Sequence, residues 1–201
     1  TYEHIDFRMD HPVLKDKAVR QAIAACVDRQ DLIDKLVRDI EPNAAPLGNV
    51  MFMPNEAGYE DHYADTGNGH TEAAAKILTD AGYTKGPDGI FAKDGQRVSV
   101  RLGHRTIERR AQTARLIQSH CAPAGIEIIG AQDEKFNDVQ LKNSDFDIAL
   151  FAWVGSGIKS GAFGNYASKN AGGSANYNNY SNTQVDELYK EMVLERPATY
   201  A

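Results

Sequence analysis

The chain has 201 residues, 42% hydrophobic and 25% charged, with a formal net charge of -6. That length supports one large domain or two small ones with a real core. The acidic balance argues against a nucleic-acid surface, which needs a clustered basic face, and no apolar run approaches the length required to cross a bilayer.

The opening "YEHIDFRM" alternates apolar and polar residues, the pattern of a strand, and Pro12 ends it. "KDKAVRQAIAACV" then sets Val19, Ile23, Cys26 and Val27 at helical spacing. Asp28 can cap a second helix, "RQDLIDKLVRDI", whose apolar face comprises Leu32, Ile33, Leu36, Val37 and Ile40. Residues 41–69 contain Pro42, Pro46, Pro54, Gly48, Gly58 and Gly67 without a sustained period, which predicts a long extended connection. A connection of that length needs a packing or functional reason, and Met51, Phe52, Met53 and Tyr59 can pack along the domain surface.

"HTEAAAKILTDAGY" predicts a helix with Ala74, Ile77, Leu78 and Ala81 on one stripe, closed by Gly82. Asp94-Gly95 signals a hairpin inside "DGIFAKDGQRVSVRLG". "TIERRAQTARLIQSHCAPAG" is a helix with Ile107, Ala111, Ala114, Ile117 and Cys121 down one side. Its neighbouring arginines, Arg105, Arg109, Arg110 and Arg115, read as a solvated helix face. "IEIIGA" is a short strand, "EKFNDVQLKN" a short helix, and residues 147–153 an apolar strand able to bury both faces. Residues 154–182 are rich in Gly, Ser, Asn and Tyr. The tyrosines argue against disorder, and the composition suits an adaptable binding loop. "TQVDELYKEMVLE" forms a last helix with Val185, Leu188, Met192 and Leu194 as its apolar positions.

Strand, helix, strand, helix, strand from residue 97 onward implies an α/β fold, a mostly parallel mixed sheet flanked by helices. Ligands of such sheets bind beyond the carboxyl ends of the strands. Trp153, the single tryptophan, stands at that end of the 147–153 strand.

Motifs for chemistry are few. Asp145 and Asp147 share a face at a strand start, with no nucleophile or partner base beside them in sequence. Asp61, His62, Asp65 and His70 gather in one loop, but the spacing fits neither a helical His pair nor a calcium loop. His104 reads as a structural histidine. There is no GxSxG, phosphate loop or dinucleotide fingerprint, so the chain reads as a binding protein without catalysis, metal or cofactor. Cys26 and Cys121 each fall on the apolar stripe of a helix, as two buried thiols or as one disulfide.

The blocks "HPVLKDKAVRQAIAACVDRQDLIDKLV", "TEAAAKILTDAGY", "IFAKDGQRVSVRL", "ARLIQSHCAPAGIEI", "SDFDIALFAWVGSG" and "NYSNTQVDELY" occur in the order and spacing of one family. The sequence resembles the family 5 extracellular solute-binding proteins, the oligopeptide-, dipeptide- and nickel-binding receptors of ATP-driven importers, from about Phe7 to about Leu194. The resemblance implies a two-lobed protein of the type II (class C) periplasmic-binding fold that closes on its ligand. Residues 1–201 then form most of the carboxyl-terminal lobe, truncated at both ends, with residues 154–182 facing the ligand. It implies an extracytoplasmic monomer, lipid-anchored when full-length, that delivers a peptide or other small solute to membrane permease subunits of an ABC importer. Export favours a Cys26–Cys121 disulfide.

In peptide receptors of this family a tryptophan after the corresponding strand lies along the ligand, and Trp153 matches it. The aspartate that then pairs with a peptide's free amine is missing, since Gly155, Ser156 and Gly157 occupy those positions. The resulting candidate ligand-binding residues are Trp153, Val154, Gly155, Ser156, Tyr166, Asn176 and Asn178. The competing role for Trp153 is a core anchor. The competing function is an extracellular regulatory or protein-interaction module that has lost solute transport.

Overall fold

The computed structural model describes residues 1–64, 66–155 and 159–194. Its main sheet has four strands in the order β1-β7-β5-β6: β1 (Tyr2–Phe7), β5 (Ser99–Arg105), β6 (Glu127–Asp133) and β7 (Ile148–Trp153). β5 pairs in parallel with both β6 and β7, and β1 runs antiparallel to β7. A smaller antiparallel sheet joins β2 (Thr84–Lys85), β3 (Phe91–Lys93) and β4 (Gln96–Arg97). Its β3–β4 turn is Asp94-Gly95, both at positive φ (51° and 75°), as a tight hairpin requires.

Three helices cover one face of the main sheet: α1 (Lys17–Cys26), α3 (Thr71–Asp80) and α4 (Glu108–Cys121). Val19, Ile23, Leu78, Ala114 and Ile117 from these helices meet Val100, Leu102, Ile128, Ile148 and Leu150 from the strands in one buried cluster. The side chains of β7 alternate. Ile148 and Leu150 enter that cluster, while Ala149 and Phe151 enter a second one with Phe136, Leu141 and Phe146 on the opposite face. β7 is therefore the two-sided buried strand that its apolar run predicts. On the second face the chain passes very close to the sheet at Gly103, where an added Cβ would lie 2.3 Å from the Phe136 ring.

Several expectations are corrected. In α2 (Arg29–Leu36) no residue is fully buried, and Ile40, beyond its end, is 74% exposed. Only Leu32 of the expected face packs against the core. The helix is held by polar contacts instead: Asp28 caps Asp31 N–H at 2.9 Å, and His120 Nε2 of α4 lies 2.9 Å from the Asp31 carboxylate. Residues 134–143 form turns, not a helix. Their hydrogen bonds mix spans of three, four and five residues, so no regular ladder propagates. α6 (Thr183–Leu194) exposes Leu188 and Leu194 at 64% and 80%. Its contacts come from buried Asp186, which accepts the Ser168 N–H at 2.7 Å, and from Tyr189, stacked on Tyr166 of the short helix α5 (Phe163–Tyr166). Arg110 is buried rather than solvated and donates to Glu3 Oε1 at 3.1 Å, while Ile107 is exposed.

The connection over 41–69 has the packing reason it needs. The Arg29 guanidinium donates to the carbonyls of Leu47, Tyr63 and Thr66 at 3.0, 2.7 and 2.6 Å, pinning both halves. Buried Asn49 accepts from the Met51 and Phe52 N–H groups and donates to the Glu60 carbonyl. At the foot of β7, Asp147 accepts from the Arg101 N–H at 2.8 Å and the Arg101 guanidinium at 3.0 Å. Burial would raise the Asp147 carboxyl, but these Arg101 bonds hold it below its ordinary value. Asp147 thus anchors the strand start.

Cys26 of α1 and Cys121 of α4 are joined by a disulfide, with Cα atoms 5.0 Å apart and a sequence separation of 95. A loop of that length restricts the unfolded chain strongly. Replacing both cysteines by serine is expected to cost about 2–5 kcal/mol in urea unfolding. The unreduced protein is expected to take up no thiol label by mass, and two labels would remove the cross-link. Gly103→Ala is expected to cost about 1–3 kcal/mol by driving Phe136 from its seat. An unchanged denaturation midpoint would contradict that close approach.

Candidate functional site

The register of β1 on β7 builds the site. Tyr2, His4 and Asp6 lie opposite Trp153, Phe151 and Ala149, so all six project from the same face of the sheet. Trp153 stands at the carboxyl end of β7, half-buried. Its indole makes an edge contact with Phe151 (5.3 Å between centroids) and lies nearly parallel to His4 and Tyr177 (6.3 Å each, 14° and 17°). These contacts fix the ring as a rigid platform.

Beside the platform a concavity of about 170 Å³ opens to solvent, bordered by Tyr2, Met51, Trp153, Val154, Gly155 and Tyr166 among others. Four candidate residues thus converge: Trp153, Val154, Gly155 and Tyr166. The absent side chain of Gly155 makes room for Met53, whose sulfur would lie 3.0 Å from an added Cβ. Ser156 lies outside the described residues, as does Asp65 of the 61–70 loop.

Asn176 and Asn178 are placed elsewhere. Asn176 is only 1% exposed, and its amide donates to the Ala167 and Tyr180 carbonyls at 2.8 Å each while accepting the Tyr180 N–H at 3.1 Å. It staples part of the 154–182 segment from inside, with both donor hydrogens used and the amide closed off from a ligand. Asn178 accepts the Tyr180 N–H with its side chain and the Met9 N–H with its carbonyl, and does not border the concavity. The Asn-rich composition therefore serves loop closure at these two positions.

The sequence reading missed Tyr2, Val50, Met51, Lys159 and Asn165, which also border the concavity. Tyr2 is placed by pairing register, which no local pattern reveals. Val50 and Met51 belong to the 41–69 connection, whose apolar run signalled packing. Lys159 donates to Glu56 Oε2 at 2.5 Å and lies 5.0 Å from the centre of the Phe52 ring, tying the two long segments together. That hydrogen bond holds the Glu56 carboxyl below its ordinary value. The Tyr166 and Tyr2 hydroxyls are neighbours, and burial raises both phenols. The Tyr189 hydroxyl reaches the Met51 sulfur at 3.4 Å.

Beneath the platform His4 Nε2 lies 3.5 Å from the Asp6 carboxylate, and neither ring nitrogen of His4 has a hydrogen-bond partner among the described residues. Among those residues no group of three or more His, Cys, Asp or Glu side chains converges on a point that could hold a metal. His104 is buried against the helix layer, 3.0 Å from the Arg105 carbonyl. No helix among the described residues is long and apolar enough to cross a membrane.

A mostly parallel mixed sheet flanked by helices, with an open concavity at the carboxyl end of a central strand, is an α/β architecture of the kind that receives ligands at that end. The profile described as bacterial extracellular solute-binding proteins, family 5, middle region, matches residues 1–175, and the chain belongs to that family. It is 27% identical over 187 residues to the oligopeptide-binding protein OppA of Mycobacterium bovis, covering 91% of this chain and 31% of that protein. The periplasmic EDTA-binding protein EppA superposes with a TM-score of 0.85 at 25% identity, over 94% of this chain and 36% of that one. The oligopeptide-binding protein AppA of Bacillus subtilis, in complex with a nonapeptide, superposes with a TM-score of 0.74 at 22% identity, over 99% of this chain and 40% of that one. The chain therefore spans about a third of the length of the curated relatives it matches.

Burial pushes His4 down to about 4 from 6.5 and Asp6 up to about 6 from 3.8. Between these values the folded pair carries its one proton on Asp6, whereas the unfolded chain carries it on His4. Both states bind equal numbers of protons there, so the two pH dependences cancel and stability stays flat across that window. Asp6→Asn breaks the balance. The depressed His4 then contributes stability that is full above pH 6.5 and lost as pH falls toward 4. Urea midpoints at pH 7 and pH 4.5 are expected to differ more for Asp6→Asn than for the wild type. Equal differences would refute the pairing.

Proposed function

We propose that this chain supplies one wall of the binding site in the extracytoplasmic substrate-binding component of an ABC importer. The solute is a peptide or a similarly small ligand. It is enclosed between two lobes, of which residues 1–201 are most of the carboxyl-terminal one, and is passed to membrane permease subunits. The full-length protein works as a lipid-anchored monomer outside the cytoplasmic membrane and performs no catalysis. The observation that carries this reading is Trp153, held rigidly at the carboxyl end of a central strand beside an open concavity that a facing lobe would enclose. Its family membership and its likeness to OppA support the reading. Closure follows the logic of hinged receptors, in which the ligand stabilises the closed population by binding it better than the open one.

A second reading, an extracellular regulatory module without transport, draws on the glycine at position 155, where an aspartate would serve a peptide amine. One experiment separates the two. The full-length mature protein is purified without refolding, denatured, and its released small molecules identified by mass spectrometry. Released peptides support the receptor. No released ligand, together with no thermal shift across peptides, sugars and metal chelates, favours the module. Trp153→Ala in the receptor is expected to weaken binding by about tenfold or more, with Tm lowered by only a few degrees. A large fall in Tm with unchanged affinity would make Trp153 a core anchor instead.

A further inference from the structure

The concavity is walled from two sides. Val50 and Met51 come from the 41–69 connection, while Trp153, Val154, Gly155 and Lys159 come from the end of β7 and the segment after it. The two walls are distant in sequence, so the shape of the site depends on what holds one against the other. Behind the first wall the chain turns at residues 53–56, closed by the Glu56 N–H, which donates to the Met53 carbonyl at 2.9 Å. One carboxylate oxygen of Glu56, Oε2, accepts twice: from the Met53 N–H at 2.7 Å and from the Lys159 ammonium at 2.5 Å. The first bond stiffens the turn, and the second grips the other wall. The turn receives that wall at a further point. A Cβ added at Gly155 would lie 3.0 Å from the Met53 sulfur, so Met53 fills the space that a side chain there would need. The Phe52 ring, next to the turn, has its centre 5.0 Å from the Lys159 nitrogen. The Lys159 and Glu56 side chains are only 20% and 26% exposed, so water and salt screen the pair less than a fully exposed one. Glu56, Met53 and Phe52 are not among the residues that border the concavity.

We infer that Glu56 is a positioning residue of the solute site: from behind one wall of the concavity it fixes the other, holding Lys159 through its charge and Met53 through its backbone. Solute affinity then depends on a carboxylate that the solute does not touch. A wall already held in its binding position needs no ordering when the ligand arrives, and a wall that is released lowers the binding-competent fraction. The inference rests on the concavity being the ligand site and adds what sets its shape.

The test uses the full-length receptor, with hydrogen exchange measured without ligand and a random pentapeptide pool as the binding probe. Glu56→Gln keeps an acceptor for the Met53 N–H and removes the charge, so it isolates the grip on Lys159. In this variant the amides of residues 50–53 and 153–155 are expected to exchange faster, with α1, α3 and α4 unchanged. Pentapeptide affinity is expected to fall about three- to tenfold, the range of one partly shielded ion pair. Once Lys159 is replaced by Met, Glu56→Gln should change neither readout further, because the two residues act as one unit. Lys159→Arg, which keeps the charge, should keep most of the affinity. Unchanged exchange at the two walls would overturn the inference. Additive effects of Glu56→Gln and Lys159→Met would also overturn it, since the residues would then act separately. Faster exchange with undiminished affinity would leave Glu56 a purely structural residue. If the wild type binds no pentapeptide, the peptide reading falls on that result, and the exchange of the two walls alone decides whether Glu56 positions them.

Discussion

Burying β7 on both faces is the constraint that the rest of the structure answers. Ile148, Ala149, Leu150 and Phe151 are each no more than 3% exposed, so the strand needs two covers of roughly equal extent. One is the helix layer of α1, α3 and α4, tied across by the Cys26–Cys121 disulfide. The other cannot be a second full helix layer, because Phe136 already lies against the sheet at Gly103. It is built from turns and from the Gly- and Asn-rich segment ending at α6. Both covers thin out at Trp153, and the indole is left half-buried at the rim. The platform is thus where the strand's apolar run outlasts its covers.

A cover made of small polar residues gains little from apolar burial. Its order comes from the cost of leaving buried polar groups unpaired, about 1–3 kcal/mol each. Asn176 meets that condition with three bonds inside the segment, and Asp186 meets it for the Ser168 N–H. Arg29 and Asn49 do the same for the 41–69 connection. The two segments then meet at Lys159–Glu56 and at Tyr189–Met51, both beside the concavity. Polar satisfaction, rather than core packing, therefore decides where the walls of the site stand. Such walls can open locally at low free-energy cost while the helix layer stays intact.

Elements whose apolar period is strong were legible from sequence. α1, α3, α4 and β7 lie where their stripes place them, because a buried face leaves one workable register. α2, α6 and residues 134–143 were read less well for a common reason. Their contacts are polar or aromatic and long-range: Asp31 to His120, Asp186 to Ser168, Tyr189 to Tyr166. Apolar periodicity is blind to these. The site divided along the same line. Trp153, Val154, Gly155 and Tyr166 are local to one motif and its loop. Tyr2 and Met51 arrive from a strand and a connection more than a hundred residues away in sequence, through a cross-strand register and an arginine clasp that only the folded chain displays. Asn176 and Asn178 show the converse error, since a composition that suits recognition equally suits the internal stapling of a turn.

The balance of charge follows from this architecture. A strand end fed by β1 brings the alternating series Tyr2, His4, Asp6 onto the side of the sheet that carries Trp153. The carboxylate of that series falls farthest from the rim, where burial raises it to about 6 and His4 Nε2 lies 3.5 Å away. The phenol falls nearest, opposite Trp153. Sliding β1 by two residues would set His4 opposite Trp153, and by four would set Asp6 there, changing the polar group at the rim with the same fold. The period of two also forbids a slip by one, which would drive Ile5 and Phe7 out of the helix-side core. Ile5 and Phe7, residues that touch no ligand, thereby hold the register that puts a hydroxyl rather than a carboxylate at the rim. On the proposed reading, the chemistry offered to the solute is fixed as much by the core face of an edge strand as by the loop that follows Trp153.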